Sequence, residues 1–185
     1  MNKKLLVLAT SACLLTALVP VSVVFGVSKS PERQQEAQQL AQVGTPVAVS
    51  EILPKLKGKT QVPIFIPSSI SASQKLYYQS TAKADSYTIS IGYTADCHAG
   101  ACSFGEIRAQ KGGEFTTKIE GVTKTLKNVQ LAGGVKGVFH NGCGAYCTAS
   151  VEWKAQGVLY TVAIKNGKEA DLIKIANSAI QAGKR

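Results

Sequence analysis

The chain has 185 residues, with 21 Lys and Arg against 11 Asp and Glu, a formal charge of +10 at neutral pH. That length suits one domain, large enough to bury a core without depending on crosslinks. The basic balance favours anionic polymers or lipid headgroups as partners, but only Lys55, Lys57 and Lys59 cluster, and no basic and aromatic residues interleave into a reading surface, which sets nucleic acid aside.

Lys3 and Lys4 precede an apolar run from Leu5 to Val27. A basic start followed by an apolar stretch reads as an export signal. Pro20 breaks the run as a helix, and Val24, Phe25 and Gly26 suit a signal peptidase, so residues 1–26 are expected to be a signal peptide cleaved after Gly26. The run is also close to the ~20 residues that span a bilayer, so an uncleaved N-terminal membrane anchor, basic end inside, is the rival. Lipidation at Cys13, approached by Thr10, Ser11 and Ala12, is a third reading; it lacks a Leu three residues before the cysteine, and the apolar run continues past it. Removing residues 1–26 takes away Lys3 and Lys4 and leaves 19 basic against 11 acidic residues, a formal +8.

Residues 27–45 are polar and rich in Gln, with Leu40 and Val43 as isolated large apolar side chains, and are expected to be a linker. Ser30 and Pro31 could open a short helix there, which would have nothing to bury. A single domain is expected over 46–185. Glu51 to Leu56 is a short helical candidate interrupted by Pro54. Val62 to Pro67 is an apolar extended run bounded by prolines, either an edge strand or a packed loop.

From Tyr87 the pattern sharpens. Tyr87, Ile89, Ile91 and Tyr93 alternate with Thr88, Ser90, Gly92 and Thr94, the period of a half-buried strand. A second strand follows from Ser103 to Ala109, with Ala95 to Cys102 as the loop between them. Val151, Trp153 and Ala155 alternate with Glu152, Lys154 and Gln156, Gly157 turns the chain, and Val158, Tyr160, Val162 and Ile164 share a face, which predicts an antiparallel hairpin with one wet face. Asn166 with Glu169 could cap a helix to about Ala182, with Leu172, Ile175, Ala176 and Ala179 on its buried side and Lys184 and Arg185 near the negative end of its dipole. No strand-helix-strand alternation appears. The expected class is α+β, an antiparallel sheet of about 5–7 strands with a C-terminal amphipathic helix packed on one face.

Export makes paired cysteines disulfides. Cys97, Cys102, Cys143 and Cys147 allow three pairings, and spacing favours the local bonds Cys97–Cys102 and Cys143–Cys147. Loops this short gain about 2 kcal/mol or less from each crosslink, so the bonds would shape loops rather than hold the fold; a crossed pairing would stabilise more. Cys97, His98, Cys102, His140, Cys143 and Cys147 offer donors that zinc prefers, but the gaps are wider than zinc knuckles and exported thiols are oxidised, so no metal is expected. A cysteine nucleophile, with His140 or His98 as base and Asn141 or Asp96 orienting it, matches no nucleophile signature, and neither pair has the two-residue gap of a thioredoxin-like site.

Other catalytic motifs are absent: no Gly-x-Ser-x-Gly elbow, no histidine pair at helical spacing, no glycine-rich phosphate loop entering a helix. Gly133, Gly134, Gly137, Gly142 and Gly144 suggest turns or close backbone approach. Glu106, Glu114, Glu120 and Glu152 could include a carboxylate pair, although solvated strand faces are the common home of such residues. The balance is against an enzyme, and no cofactor is implied.

The segment Gly142 to Cys147, with Val151 to Trp153, Gly157 to Tyr160 and Ile175 to Ser178, resembles uncharacterised cyanobacterial exported proteins with a paired-cysteine loop, a Trp-containing strand, a Gly-turn-Tyr strand and a closing helix. More loosely it is similar to extracytoplasmic domains of unknown function in Gram-positive bacteria. The resemblance covers mainly Tyr87 to Cys102 and Gly133 to Ile180 and implies an exported α+β domain; it carries no catalytic residues.

Two function classes follow. One is a non-enzymatic cell-envelope domain, periplasmic or extracellular, binding an anionic envelope polymer, a lipid or a membrane protein through its disulfide-stiffened loops, with His98, His140 and Tyr146 as candidate binding residues. It touches the membrane itself only if the N-terminal segment is uncleaved, in which case it is a tethered sensor. The other is a small secreted or periplasmic hydrolase using His98 and His140 with a carboxylate, which requires those groups to converge in one pocket.

Overall fold

The computed structural model describes residues 44–98, 100–121 and 123–185. The export segment, Cys13 and all of the 27–45 linker except Gly44 and Thr45 lie outside the described residues. Among the described residues no helix is long and apolar enough to cross a membrane.

A seven-stranded antiparallel sheet forms the body. Its strands are β3 (Tyr77–Lys83), β4 (Ser86–Gly92), β5 (Ser103–Lys111), β6 (Thr123–Gln130), β7 (Lys136–Cys143), β8 (Cys147–Ala155) and β9 (Val158–Lys165), in the spatial order β3-β4-β5-β9-β8-β7-β6. Two meanders, β3 to β5 and β6 to β9, thus meet where β5 pairs with β9. A small two-stranded ladder pairs β1 (Thr45–Pro46) with β2 (Ser69–Ile70). Two helices, α1 (Val49–Leu56) and α2 (Glu169–Ala182), complete the α+β class expected from the sequence.

One face of the sheet is the core. Period-two alternation brings Tyr87, Ile89 and Ile91 of β4 into line with Ala109 and Ile107 of β5, Tyr160, Val162 and Ile164 of β9, and Trp153, Val151 and Ala149 of β8, all buried. Leu172, Ile175, Ala176 and Ala179 of α2 cover it, as their helical spacing predicts. Trp153 stacks on Tyr160 with ring centroids 5.4 Å apart. The β8–β9 turn places Gln156 and Gly157 at φ 53° and 73°, two consecutive left-handed residues that match the twist of a tight hairpin.

Val62 to Pro67 is the packed loop of the two alternatives. Val62, Ile64 and Ile66 are buried, and the prolines remove the donors a ladder would need. The sheet satisfies its backbone instead. The Tyr87 hydroxyl accepts from Phe65 N–H and donates to Phe65 C=O, both at 3.0 Å, and the Tyr160 hydroxyl donates to Pro63 C=O at 2.9 Å. Burial pushes both phenols well above their ordinary pKa, so they remain donors.

Three local expectations need correction. Pro54 does not interrupt α1, which runs through it: only one intrahelical bond is lost, and Ile52 and Leu56, four apart, bury one stripe of the helix. Asn166 does not cap α2. It adopts φ 53° and exchanges bonds with Cys147, donating its N–H at 2.8 Å and accepting at Oδ1 at 3.3 Å, while Lys168 stands at the helix N-cap without a side-chain cap bond. Lys184 and Arg185 lie past Gly183, which ends the helix at φ 73°, and the last turn of α2 holds no basic residue; Arg185 N–H donates instead to Ile64 C=O at 3.0 Å.

Candidate functional site

The second face of the sheet is polar, and topology decides how much of it is open. Because β5 lies in the middle of the sheet and β6 at its edge, the connection between them must cross β9, β8 and β7. Residues 113–121 make that crossing over the polar face as a strap. Lys154 Nζ of β8 donates to Glu114 Oε2 at 2.6 Å and lies 5.4 Å from the Phe115 ring centroid. Gly142 admits the strap closely: a Cβ there would lie 2.9 Å from the Glu120 carbonyl.

The strap is held by a buried carboxylate. Glu152 Oε2 accepts from Thr116 N–H and Oε1 from the Thr116 hydroxyl, both at 2.8 Å, and Oε1 lies 3.2 Å from His140 Nε2. The side chains of His140 and Glu152 are 16% and 6% exposed. Burial alone would raise the Glu152 pKa, but the bonds from His140 and Thr116 outweigh it and hold the carboxyl below its ordinary value. His140, a candidate binding residue from sequence, is therefore committed to a clasp between strap and sheet.

Both cysteine pairs are at bonding distance in the local connectivity, with Cα separations of 5.6 Å for Cys97–Cys102 and 3.9 Å for Cys143–Cys147. The first closes the β4–β5 loop, where Tyr93 N–H donates to Cys102 C=O at 2.9 Å. Gly92 is required beside it, since a Cβ there would lie 2.6 Å from Cys97 Cβ. The second joins directly opposed residues at the ends of β7 and β8. Disulfides of this kind belong to an oxidising, non-cytosolic compartment.

The two loops meet in space. Lys165, at the end of β9, donates to Gly100 C=O of the first loop at 2.9 Å and places its ammonium 4.8 Å from the Tyr146 ring centroid of the second. Tyr146 is half exposed, and its hydroxyl lies 3.5 Å from where a Cβ on Gly100 would stand. Between the loops and the strands lies a cleft of about 350 Å³ lined by Tyr77, Gln79, Ser90, Thr94, His98 and Tyr146 among others. Two of the three candidate binding residues, His98 and Tyr146, thus share one cleft. The third does not: His140 stands on β7, four strands from the Ser90 that lines this cleft, about 19 Å away at ordinary strand spacing. The two histidines do not converge on a carboxylate.

Lys165 is the residue that sequence reading missed. Its position at the end of a strand carries no local signal, and its role depends on two disulfide loops, Cys97–Cys102 and Cys143–Cys147, that begin 46 residues apart at Cys97 and Cys143 and arrive at the same end of the sheet. Among the described residues no group of three or more His, Cys, Asp or Glu is arranged to hold a metal ion. Comparison with protein-family models, with curated proteins and with solved structures finds no match.

Proposed function

We propose that the protein is an exported, non-enzymatic domain of the cell envelope that binds a polar envelope partner in the cleft between its two disulfide loops. The observation that carries this reading is the Gly100–Lys165–Tyr146 junction, which ties two crosslinked loops into one rigid rim around exposed His98 and Tyr146. Rigid loops with an exposed tyrosine lose little entropy on binding and present both a ring face and a hydroxyl. The export reading rests on Lys3, Lys4 and the apolar run to Val27, together with the need of both disulfides for an oxidising compartment. The partner class is an anionic polymer or a membrane protein, in keeping with the basic surface.

The test has two arms. Mass spectrometry of protein recovered from its native envelope should find a mature start at Val27 and the two local disulfides. Purified cell-wall polymer should co-sediment the mature protein, and Tyr146→Ala or His98→Ala should release it. Recovery from the cytoplasm with free thiols, or sedimentation indifferent to both substitutions, overturns the proposal.

A further inference from the structure

The cleft at the disulfide end is one end of a longer depression. Cavities of about 350, 230 and 470 Å³ lie on the polar face over β3, β4, β5 and β9, and the last two reach the strapped half at Thr148 and Glu152 of β8. The first two share Ser90, Gly100, Ser103 and Tyr146. The third begins one row further along the strands: Ser90 and Glu106 pair across β4 and β5 in one row, Thr88 and Arg108 in the next. The rows from Gly92 back to Ser86 span six residues, so the three cavities line up as a trough of about 20 Å, with the Arg108–Glu106 ion pair where the second gives way to the third.

Its floor suits a hydroxyl-rich ligand. Gln79, Thr81, Thr88, Ser90 and Gln110 offer hydroxyls and amides that both donate and accept. The lining is mixed rather than apolar: Leu159 and Ile91 are its large aliphatic residues, and Ile91 is buried in the core. Its charges are arranged along its length. Arg108 pairs with Glu106 at 3.2 Å, and Glu152 is taken up by His140 and Thr116. That leaves Lys83 at one end and Lys165 at the other, neither with a carboxylate partner among the described residues. Two cations separated by most of the trough match spaced acidic groups on a polymer better than one compact anion.

We infer that this trough binds a linear acidic glycan laid along β4, with its sugar hydroxyls on the strand floor and its acidic groups towards Lys83 and Lys165. The inference rests on the envelope-binding reading above and names the ligand class for it. The probes are a carboxylated oligosaccharide (oligogalacturonate), a neutral one (a cello-oligosaccharide) and a polyanion without sugar hydroxyls (polyphosphate), titrated into the mature protein at physiological salt and followed by calorimetry and amide NMR shifts.

Oligogalacturonate should bind, with shifts confined to β3, β4, β5, β9 and the two disulfide loops. Ser90→Trp, which fills the trough at an exposed position, should weaken it at least about tenfold, roughly 1.4 kcal/mol. Lys83→Glu, also exposed, should weaken it by a similar factor and guards against misfolding of the first variant. Lys124→Glu on the distant edge strand β6 should change nothing. Equal affinity for the cello-oligosaccharide, equal affinity for polyphosphate, no binding of oligogalacturonate, or wild-type affinity in both Ser90→Trp and Lys83→Glu would each overturn the inference. If Tyr146→Ala abolishes sedimentation with cell-wall polymer while Ser90→Trp and Lys83→Glu do not, the loop-held partner stands and the glycan trough falls.

Discussion

The two faces of the central sheet are built from the same seven strands and obey opposite rules. The core face carries Tyr87, Ile107, Val151, Trp153 and Tyr160 and is closed by α2 and the Pro63–Pro67 loop, so its organisation follows from burying apolar area. The polar face has no such drive. What covers half of it is a strap held by one buried carboxylate and two hydrogen-bonding partners, and what remains open is the trough. Packing sets stability on one side, and a few directional bonds set accessibility on the other.

That contrast is sharpest in the size of substitution effects. Trp153→Ala on the core face should cost about 3–5 kcal/mol, measured by denaturant unfolding, because it removes the largest fully buried side chain and leaves a cavity against Tyr160. A loss near 1 kcal/mol would show that the core collapses around the gap.

Glu152→Ala on the polar face should cost about 2–3 kcal/mol, since it leaves His140 and the Thr116 N–H without their buried acceptor. Hydrogen exchange should rise in residues 113–121 more than in β8. The pH dependence has a definite sign. The folded-state pKa of Glu152 is depressed below 4.5, so its contribution is complete above that value and is lost as pH falls through the folded pKa. The gap in stability between wild type and Glu152→Gln should therefore shrink between pH 6 and pH 3, and a gap that widens would rule out the clasp.

Cys143→Ser with Cys147→Ser should cost about 2 kcal/mol or less and leave the sheet folded, because the bond closes a loop of only a few residues. Its larger effect should be on the 144–146 loop, where loss of protection and of the Lys165–Tyr146 contact would show by NMR. Global unfolding would mean that the bond does more than shape its loop. Lys127→Ala, which removes an exposed ion pair to Glu169 of α2 at 2.8 Å, should change stability by less than about 1 kcal/mol.

How much of this was legible in the chain varies by element. Strands β4, β8 and β9 and helix α2 declare themselves because one side of each is apolar at a clean period of two or about 3.6. The edge strands β3 (YYQSTAK) and β6 (TKTLKNVQ) do not, because edge strands need few buried residues and carry polar and basic side chains that discourage further pairing. Of the candidate site, the cysteine connectivity was readable from spacing, and His98 and Tyr146 from their places in the loops. Their convergence was not. Nor was the fate of His140, whose partner Glu152 lies 12 residues on and across a strand pair, and is itself held by Thr116 of the strap, 36 residues before it.

Local chemistry by itself determined which residues face the core, where the tight turns fall and which cysteines pair, since each depends on neighbours within a few residues along the chain. Strand order was decided only in three dimensions. Placing β9 between β5 and β8 brings Lys165 between the two disulfide loops, and it requires the β5–β6 connection to cross the polar face, a crossing that occupies His140, shelters Glu152 and leaves β3, β4 and β5 open. No period in the sequence encodes such an arrangement, because it follows from long-range pairing, in which a whole face must be buried at once.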